Sequence, residues 1–436
     1  MATTDQNEVY RSLSRKIDNL TVRAPWNETF SSILKKLYTP EEADVVVRMP
    51  YILSTADRIA GITGIEKVRL QGILDKLSNK GLLLDLYNVK DGQYYFMPSP
   101  MLIGLFEFTM MRTGRSREGE EFAKFFQDYL AYFYPANFSN HEQVSILRVI
   151  PIEETLKTAK HIEFMDYEKA SSLIEESNRF ALGLCSCRNE KYHNEDKKCD
   201  APLDNCSAFG IGADYLIRHN LGREVSKAEM IDNFARSRDL GLVFSADNTK
   251  RNPMVVCQCC KCCCNYLAGA NKFGFTNSVV TSNFISSLDE LKCTGCGKCV
   301  KLCPVNAVSL VDAKDPLKKK RKKAKVDSGI CVGCGVCAFK CSNSAMAMIN
   351  RGVRVIHPET TFERIILLSL ERGNLQNQLF DNPRSMTQDY MRMFVGAFLK
   401  LAPVKRALMS DLFRSAFLSS ARGIARMQGR GWMLDI

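Results

Sequence analysis

Thiols are missing from both ends of this 436-residue chain: residues 1–184 and 342–436 hold no cysteine, and all eighteen lie between Cys185 and Cys341. A secreted disulfide scaffold is smaller, scatters its cysteines and follows an export signal. This chain shows the reverse pattern. Its opening Met1-Ala-Thr-Thr-Asp5 has neither a basic n-region nor an apolar h-region, so no signal peptide is visible. Nowhere does an unbroken apolar stretch approach the ~20 residues of a spanning helix. No Gly-rich nucleotide loop and no flavin fingerprint is apparent. These absences lead us to expect a cytoplasmic protein in a reducing setting whose cysteines bind metal. The remainder is ordinary, with 45% hydrophobic and 25% charged residues able to bury real cores. The length suits two to four domains.

The cysteines fall into patterns. Two runs read Cys293-x2-Cys296-x2-Cys299-x3-Cys303-Pro304 and Cys331-x2-Cys334-x2-Cys337-x3-Cys341. A cubane [4Fe-4S] cluster needs a thiolate at each of four iron corners, and two-residue gaps let one short loop wrap three of them. Paired zinc knuckles share the Cys-x2-Cys step but need only four thiolates per site, which leaves the third cysteine of each run unexplained. Gly295, Gly297, Gly333 and Gly335 stand between ligands, where a tightly turning backbone needs positive φ. The stretch resembles a two-cluster bacterial-type ferredoxin domain, with short strands expected at 307–311 and 345–349 and Ser342 replacing the proline of the first run. The resemblance implies that each fourth cysteine ligates the other cluster. Cluster I is then Cys293, Cys296, Cys299 and Cys341, and cluster II is Cys331, Cys334, Cys337 and Cys303.

Upstream, Cys185-x-Cys187-x11-Cys199-x6-Cys206 has the thiol count of one [4Fe-4S] cluster, and equally of a closed zinc site. Arg188 either lowers the pKa of its neighbouring thiols or is a solvated charge; His193, with no partner histidine, reads as a surface residue. A denser run follows, Cys257-Gln-Cys259-Cys260-Lys-Cys262-Cys263-Cys264, six thiols within eight residues. Adjacent side chains diverge in helix and strand alike, so the run can feed two metal centres or one cluster with spare thiols. The order of these motifs over residues 179–350 resembles a multidomain Cys-rich iron-sulfur family of anaerobic bacteria. That resemblance implies several clusters and an electron-transfer role, and it implies no substrate; an anaerobic setting is expected because air would oxidise several exposed low-potential clusters.

Outside the cysteines, Thr39-Pro40-Glu41-Glu42 is a helix start. Helical spacing over 54–62 and 65–80, then a hairpin of 82–87 and 93–97 across Asp91-Gly92, resembles a winged helix. A DNA-reading role would fall to Glu66, Lys67, Arg69 and Gln71. Two cations are few for phosphate gripping, so protein docking is expected and DNA is not. Residues 122–133 read as an aromatic core helix, 148–152 as a strand and 166–180 as a helix. Ser226-Lys-Ala-Glu229 is a capping box. The net charge of +12 is uneven: the run 318–325, from Lys318 to Lys325, supplies seven cations and no acid. It reads as a surface insertion, either a solvated loop or a landing site for an acidic redox protein. Beyond residue 358 the chain is helical, with apolar faces among cations that suit packing on protein or peripheral contact with a membrane surface.

We therefore expect an α+β multidomain protein: a winged-helix-like module at 39–112, a mixed Cys-rich metal region at 120–284, a small ferredoxin-like dicluster domain at 285–351 and an α-helical tail at 358–436. The expected function is single-electron transfer through two [4Fe-4S] clusters and one or two further Cys-bound centres, with zinc an option at Cys185 to Cys206, to or from a partner redox enzyme. Substrate reduction at the Cys257 to Cys264 centre and a redox-sensing winged-helix regulator are the alternatives.

Overall fold

The computed structural model describes residues 6–138, 144–157, 165–273, 279–280, 282–313, 321–352 and 355–435. Two helices, Gln6–Asp18 and Glu28–Leu37, precede the first expected element and bury Leu13, Ile17, Phe30 and Ile33. The helix Pro40–Arg48 then starts on a reciprocal cap: Thr39 accepts from the Glu42 backbone at 3.2 Å while the Glu42 carboxylate accepts from the Thr39 N–H at 2.9 Å. Strand β1 (Ser54–Thr55), helices Ala56–Thr63 and Lys67–Asn79, and strands β2 (Leu83–Asn88) and β3 (Gln93–Pro98) follow, the strands forming one antiparallel sheet in the order β1-β3-β2. The second helix begins at Lys67 because Glu66 caps it, its carboxylate accepting from the N–H groups of Val68 and Arg69 at 3.0 Å each.

A seven-stranded sheet forms the centre. Its strands are β4 (Leu147–Ile150), β5 (Phe180–Leu184), β6 (Asp204–Phe209), β7 (Gly222–Val225), β8 (Val243–Asp247), β9 (Val255–Cys259) and β10 (Val279–Val280), in the spatial order β10-β4-β8-β9-β6-β5-β7. All neighbours are antiparallel except β10 with β4. The expected helix over 166–180 is corrected. It comprises a 3-10 turn, Asp166–Glu168, and a helix, Ala170–Glu176, after which Phe180-Ala-Leu-Gly-Leu enters the sheet between β6 and β7. Burial on both faces explains the apolar run of β5 that sequence alone could assign to either element.

Beyond this sheet lie two small antiparallel pairs: β11 (Phe284–Leu288) with β14 (Met346–Asn350), and β12 (Val308–Asp312) with β13 (Lys322–Val326). The basic run is thus only partly an insertion loop. Its residues 318–320 lie outside the described residues, whereas Lys322 to Val326 pair with β12 and bury Ala324 between lysines. The tail consists of helices Thr361–Arg372, Leu375–Leu379, Met386–Leu399, Ala402–Met409 and Asp411–Met427. It is tied to the centre by a buried ion pair, Arg364 to Asp247 of β8 at 2.9 Å, and to the N-terminal module by Arg58 to Asp381 at 2.7 Å. Buried residues from Leu13 through Phe126, Val149 and Phe244 to Leu370 form one contiguous core. Among the described residues no helix is long and apolar enough to cross a membrane.

Candidate metal centres

The two ferredoxin-like runs fold as near copies. Each places a short helix, Lys298–Leu302 or Val336–Phe339, after a glycine in the left-handed region. In each, the N–H four residues past the last cysteine donates to its sulfur, Ala307 to Cys303 at 3.1 Å and Ala345 to Cys341 at 3.3 Å. Gly295 and Gly333 occupy matching positions with φ of +71° and +69°, and a Cβ on either would stand 2.1 Å from a carbonyl oxygen, Lys322 of β13 and Phe284 of β11 respectively. Close approach of a strand, added to the positive φ, therefore fixes glycine there.

A small cavity of about 30 Å³ is lined by the sulfur-bearing residues Cys293, Cys296, Cys299 and Cys341 together with Gly295 and Gly297. On the other side, Cys303 lies near enough to Cys331, Cys334 and Cys337 to interact electrostatically with them. The donor sets and their crossing thus suit two four-thiolate clusters. Residues 292–345 match the family model of the 4Fe-4S dicluster domain. All eight cysteines of the two runs lie inside that match, and the protein is an iron-sulfur protein. No curated protein and no solved structure gives a significant match to the chain.

The two sides differ in exposure. Cys296 is exposed, and the Lys298 N–H holds its thiol below the ordinary range. Cys331, Cys334 and Cys337 are buried against the central body, where the Ile152 N–H donates to the Cys334 carbonyl at 3.2 Å; burial pushes Cys337 up to about 12. The Ser286 hydroxyl lies 3.0 Å from the Cys337 sulfur. The loop after Cys303 is bound to the body as well: Asn271 donates to the Pro304 carbonyl at 2.7 Å, and Lys261 donates to the Asn306 side chain at 2.7 Å.

The other ten cysteines group by space and not by sequence order. Cys199 separates from Cys185, Cys187 and Cys206 and joins Cys260, Cys262 and Cys263, whose sulfurs all lie within 4.8 Å of one another. This corrects the expected single centre from Cys185 to Cys206. The cause is the sheet: β6 carries Cys206 into register with Cys257 of β9, whereas Cys199 sits in the loop before β6, above the turn that follows β9. Cys257 and Cys259, two apart on β9, share the Cys206 face. Cys185 caps the helix Ser186–His193, Cys187 lies in its first turn, and Cys264 immediately precedes the helix Asn265–Phe273. Cys187 and Cys264 lie near enough to interact electrostatically, as does Cys259 with both Cys257 and Cys264.

Arg188 is no surface charge. It is 1% exposed, donates to the Pro202 carbonyl at 3.0 Å and to the Gln258 carbonyl, and faces Cys185, Cys259 and Cys260. Burial nevertheless outweighs it at Cys185, pushing that thiol up to about 11. His193 lies apart from the thiols, half-buried, with Nε2 2.8 Å from the Gly114 carbonyl.

A cavity of about 310 Å³ is lined by seven cysteines, Cys185, Cys187, Cys206, Cys257, Cys259, Cys260 and Cys264. Leu84, Met97, Phe108, Met111 and Leu216 contribute apolar wall; Glu107 and Asp247 also line it, and burial pushes the Glu107 carboxyl up to about 7 even though the Gly104 N–H donates to it at 3.2 Å. Sequence reasoning passed over Glu107. Its signal was present, a lone acid inside the apolar run 100–111.

Proposed function

We propose that the protein carries single electrons between an external redox partner and a Cys-bound centre in its own body, through the ferredoxin-like domain. The gradient of burial carries this reading: the cysteine set around Cys296 meets solvent, the set around Cys334 is buried, and the loop after Cys303 is bonded to Lys261 and Asn271 at the edge of the thiol-rich turn. Two [4Fe-4S] clusters held by the eight cysteines supply one-electron storage; the chain supplies spacing, burial and hydrogen bonds to sulfur, which set potential. Six of the seven cysteines that line the cavity, all but Cys260, are the proposed ligands of the third iron-sulfur centre.

The acidic-partner reading gains support from β13. Lys322 backs Gly295, next to exposed Cys296, and Arg321, Lys322 and Lys325 are exposed there, while Lys323 pairs with Glu290 at 2.6 Å. The order of helices and strands over residues 40–98 supports a winged-helix-like module. Lys67 pairs with Asp57 and Arg69 with Glu41, so docking of protein is favoured over DNA. We keep the division at 39–112, 120–284, 285–351 and 358–436, because each sheet falls within one part to within a residue. We assign the protein to a reducing, anaerobic cytoplasm on the chemistry of its thiols. The tail helices leave Met386, Phe394, Leu412 and Met427 exposed beside cations, a surface suited to a partner or to a lipid headgroup region.

Rapid mixing of the oxidised chain with less than one equivalent of a low-potential donor tests the path. The ferredoxin-like domain is expected to be reduced first and the body centre afterwards. A body centre that is never reduced, or is reduced first, removes the path. A second reading, reduction of a small apolar molecule at the body centre, is favoured by the 310 Å³ cavity that has Glu107 and the thiols in its mostly apolar wall. Small apolar electron acceptors would then speed reoxidation, and Glu107→Gln would abolish that effect at unchanged iron content; no acceleration in the wild type dismisses this reading.

A further inference from the structure

The cysteines of the run 257–264 divide between two groups. Cys259, Cys260 and Cys264 line the cavity and Cys263 does not, yet the sulfurs of Cys260 and Cys263 gather with those of Cys199 and Cys262. Those four sulfurs are nearly in contact: Cys262 to Cys263 is 3.4 Å, and Cys260 to Cys262 and Cys199 to Cys263 are 3.9 Å each. A zinc ion with Zn–S bonds of about 2.3 Å sets tetrahedral thiolates about 3.8 Å apart. An iron-sulfur cube carries its thiolates on the outside of an inorganic core, one per iron corner, and so holds them further apart than a single shared ion does. Sulfurs that touch leave no room for that core. They leave room for one atom.

We propose that Cys199, Cys260, Cys262 and Cys263 form a closed mononuclear zinc site, separate from the iron-sulfur centres. All four ligands are sulfur, which selects zinc or iron among common ions; four protein ligands without an open position match the structural class of zinc site. The surroundings agree with a structural role. The four cysteines form their own small core with Ala201 and Leu242, apart from the main one. Three of them come from one tight turn, closed by the Cys264 N–H on the Cys260 carbonyl at 3.2 Å, and the fourth from a loop 64 residues before Cys263. A zinc ion there clamps the loop before β6 to the turn after β9, and so fixes the two cysteines, Cys259 and Cys264, that adjoin its ligands and face the cavity. The site goes beyond the electron-transfer reading and does not depend on it, since zinc has no redox chemistry.

The test is metal and sulfide analysis with zinc-edge X-ray absorption on the full-length protein purified without oxygen. The proposal expects about one zinc per chain with four sulfur ligands at about 2.3 Å. Cys262→Ser and Cys199→Ser are expected to lose at least tenfold in zinc while iron and sulfide stay at the wild-type ratio. Zinc absent from the wild type, zinc bound through nitrogen or oxygen, or iron and sulfide falling in step with either substitution overturns it. The wild-type spectrum decides the matter if neither variant folds. Reduction of the ferredoxin-like domain is a separate readout, so failure of this proposal and failure of the electron-transfer reading are told apart.

Discussion

Ser286 reaches the Cys337 sulfur at 3.0 Å from the neighbouring strand, a hydrogen bond that stabilises negative charge on the sulfur and so favours the reduced cluster. Ser286→Ala is expected to lower the potential of the more buried centre by roughly tens of millivolts, about 59 mV being a factor of ten for one electron, and to leave the other centre unchanged in a potentiometric titration. Glu107 gives a pH test. Its folded pKa of about 7 exceeds the ordinary 4.5, so the folded chain keeps a proton that the unfolded chain has released between those values. Its contribution is fully present below pH 4.5 and fades as pH rises through 7. Glu107→Gln should therefore gain on the wild type by about 1–3 kcal/mol at pH 8, and not at pH 5, in anaerobic denaturant titrations. At this scale the eight ferredoxin-like cysteines were legible because their spacing is local. Arg188 was not, because a charge beside a cysteine gives no sign of burial until β9 is folded over it.

At the scale of elements, the tail is held to β8 by one buried pair. Asp247 accepts from Arg364 at 2.9 Å and from the Met254 and Val255 N–H groups at 2.7 and 3.1 Å, fixing the start of β9 as well as the tail. Asp247→Ala strands Arg364 in the core and should cost about 3–5 kcal/mol, read as a lowered denaturation midpoint. The helices were largely readable, since Thr39 and Ser226 announce their caps and Gly373 its stop. Elements whose identity depends on partners were not. Phe180 to Leu184 has an apolar run compatible with helix until two strands flank it, and Lys322 to Val326 reads as a charged loop until β12 covers Ala324.

Over the whole molecule the features combine into a direction: basic strand and exposed Cys296 outside, buried Cys334 next, thiol-lined cavity within. Reversing two exposed charges, Lys322→Glu with Lys325→Glu, should slow reduction by an acidic partner about tenfold at low ionic strength, and the deficit should shrink as salt is added. The partition of the ten upstream cysteines lay beyond sequence because it depends on contacts such as Cys199 with Cys263, which only the sheet order brings about. Two four-iron clusters on the eight cysteines from Cys293 to Cys341 would show themselves in an anaerobic reductive titration of the full chain followed by EPR and paired with iron and sulfide analysis. Two one-electron centres are expected in the ferredoxin-like domain, with Cys296→Ser altering one and Cys334→Ser the other. A colourless protein with no sulfide and no reducible centre there would contradict that assignment.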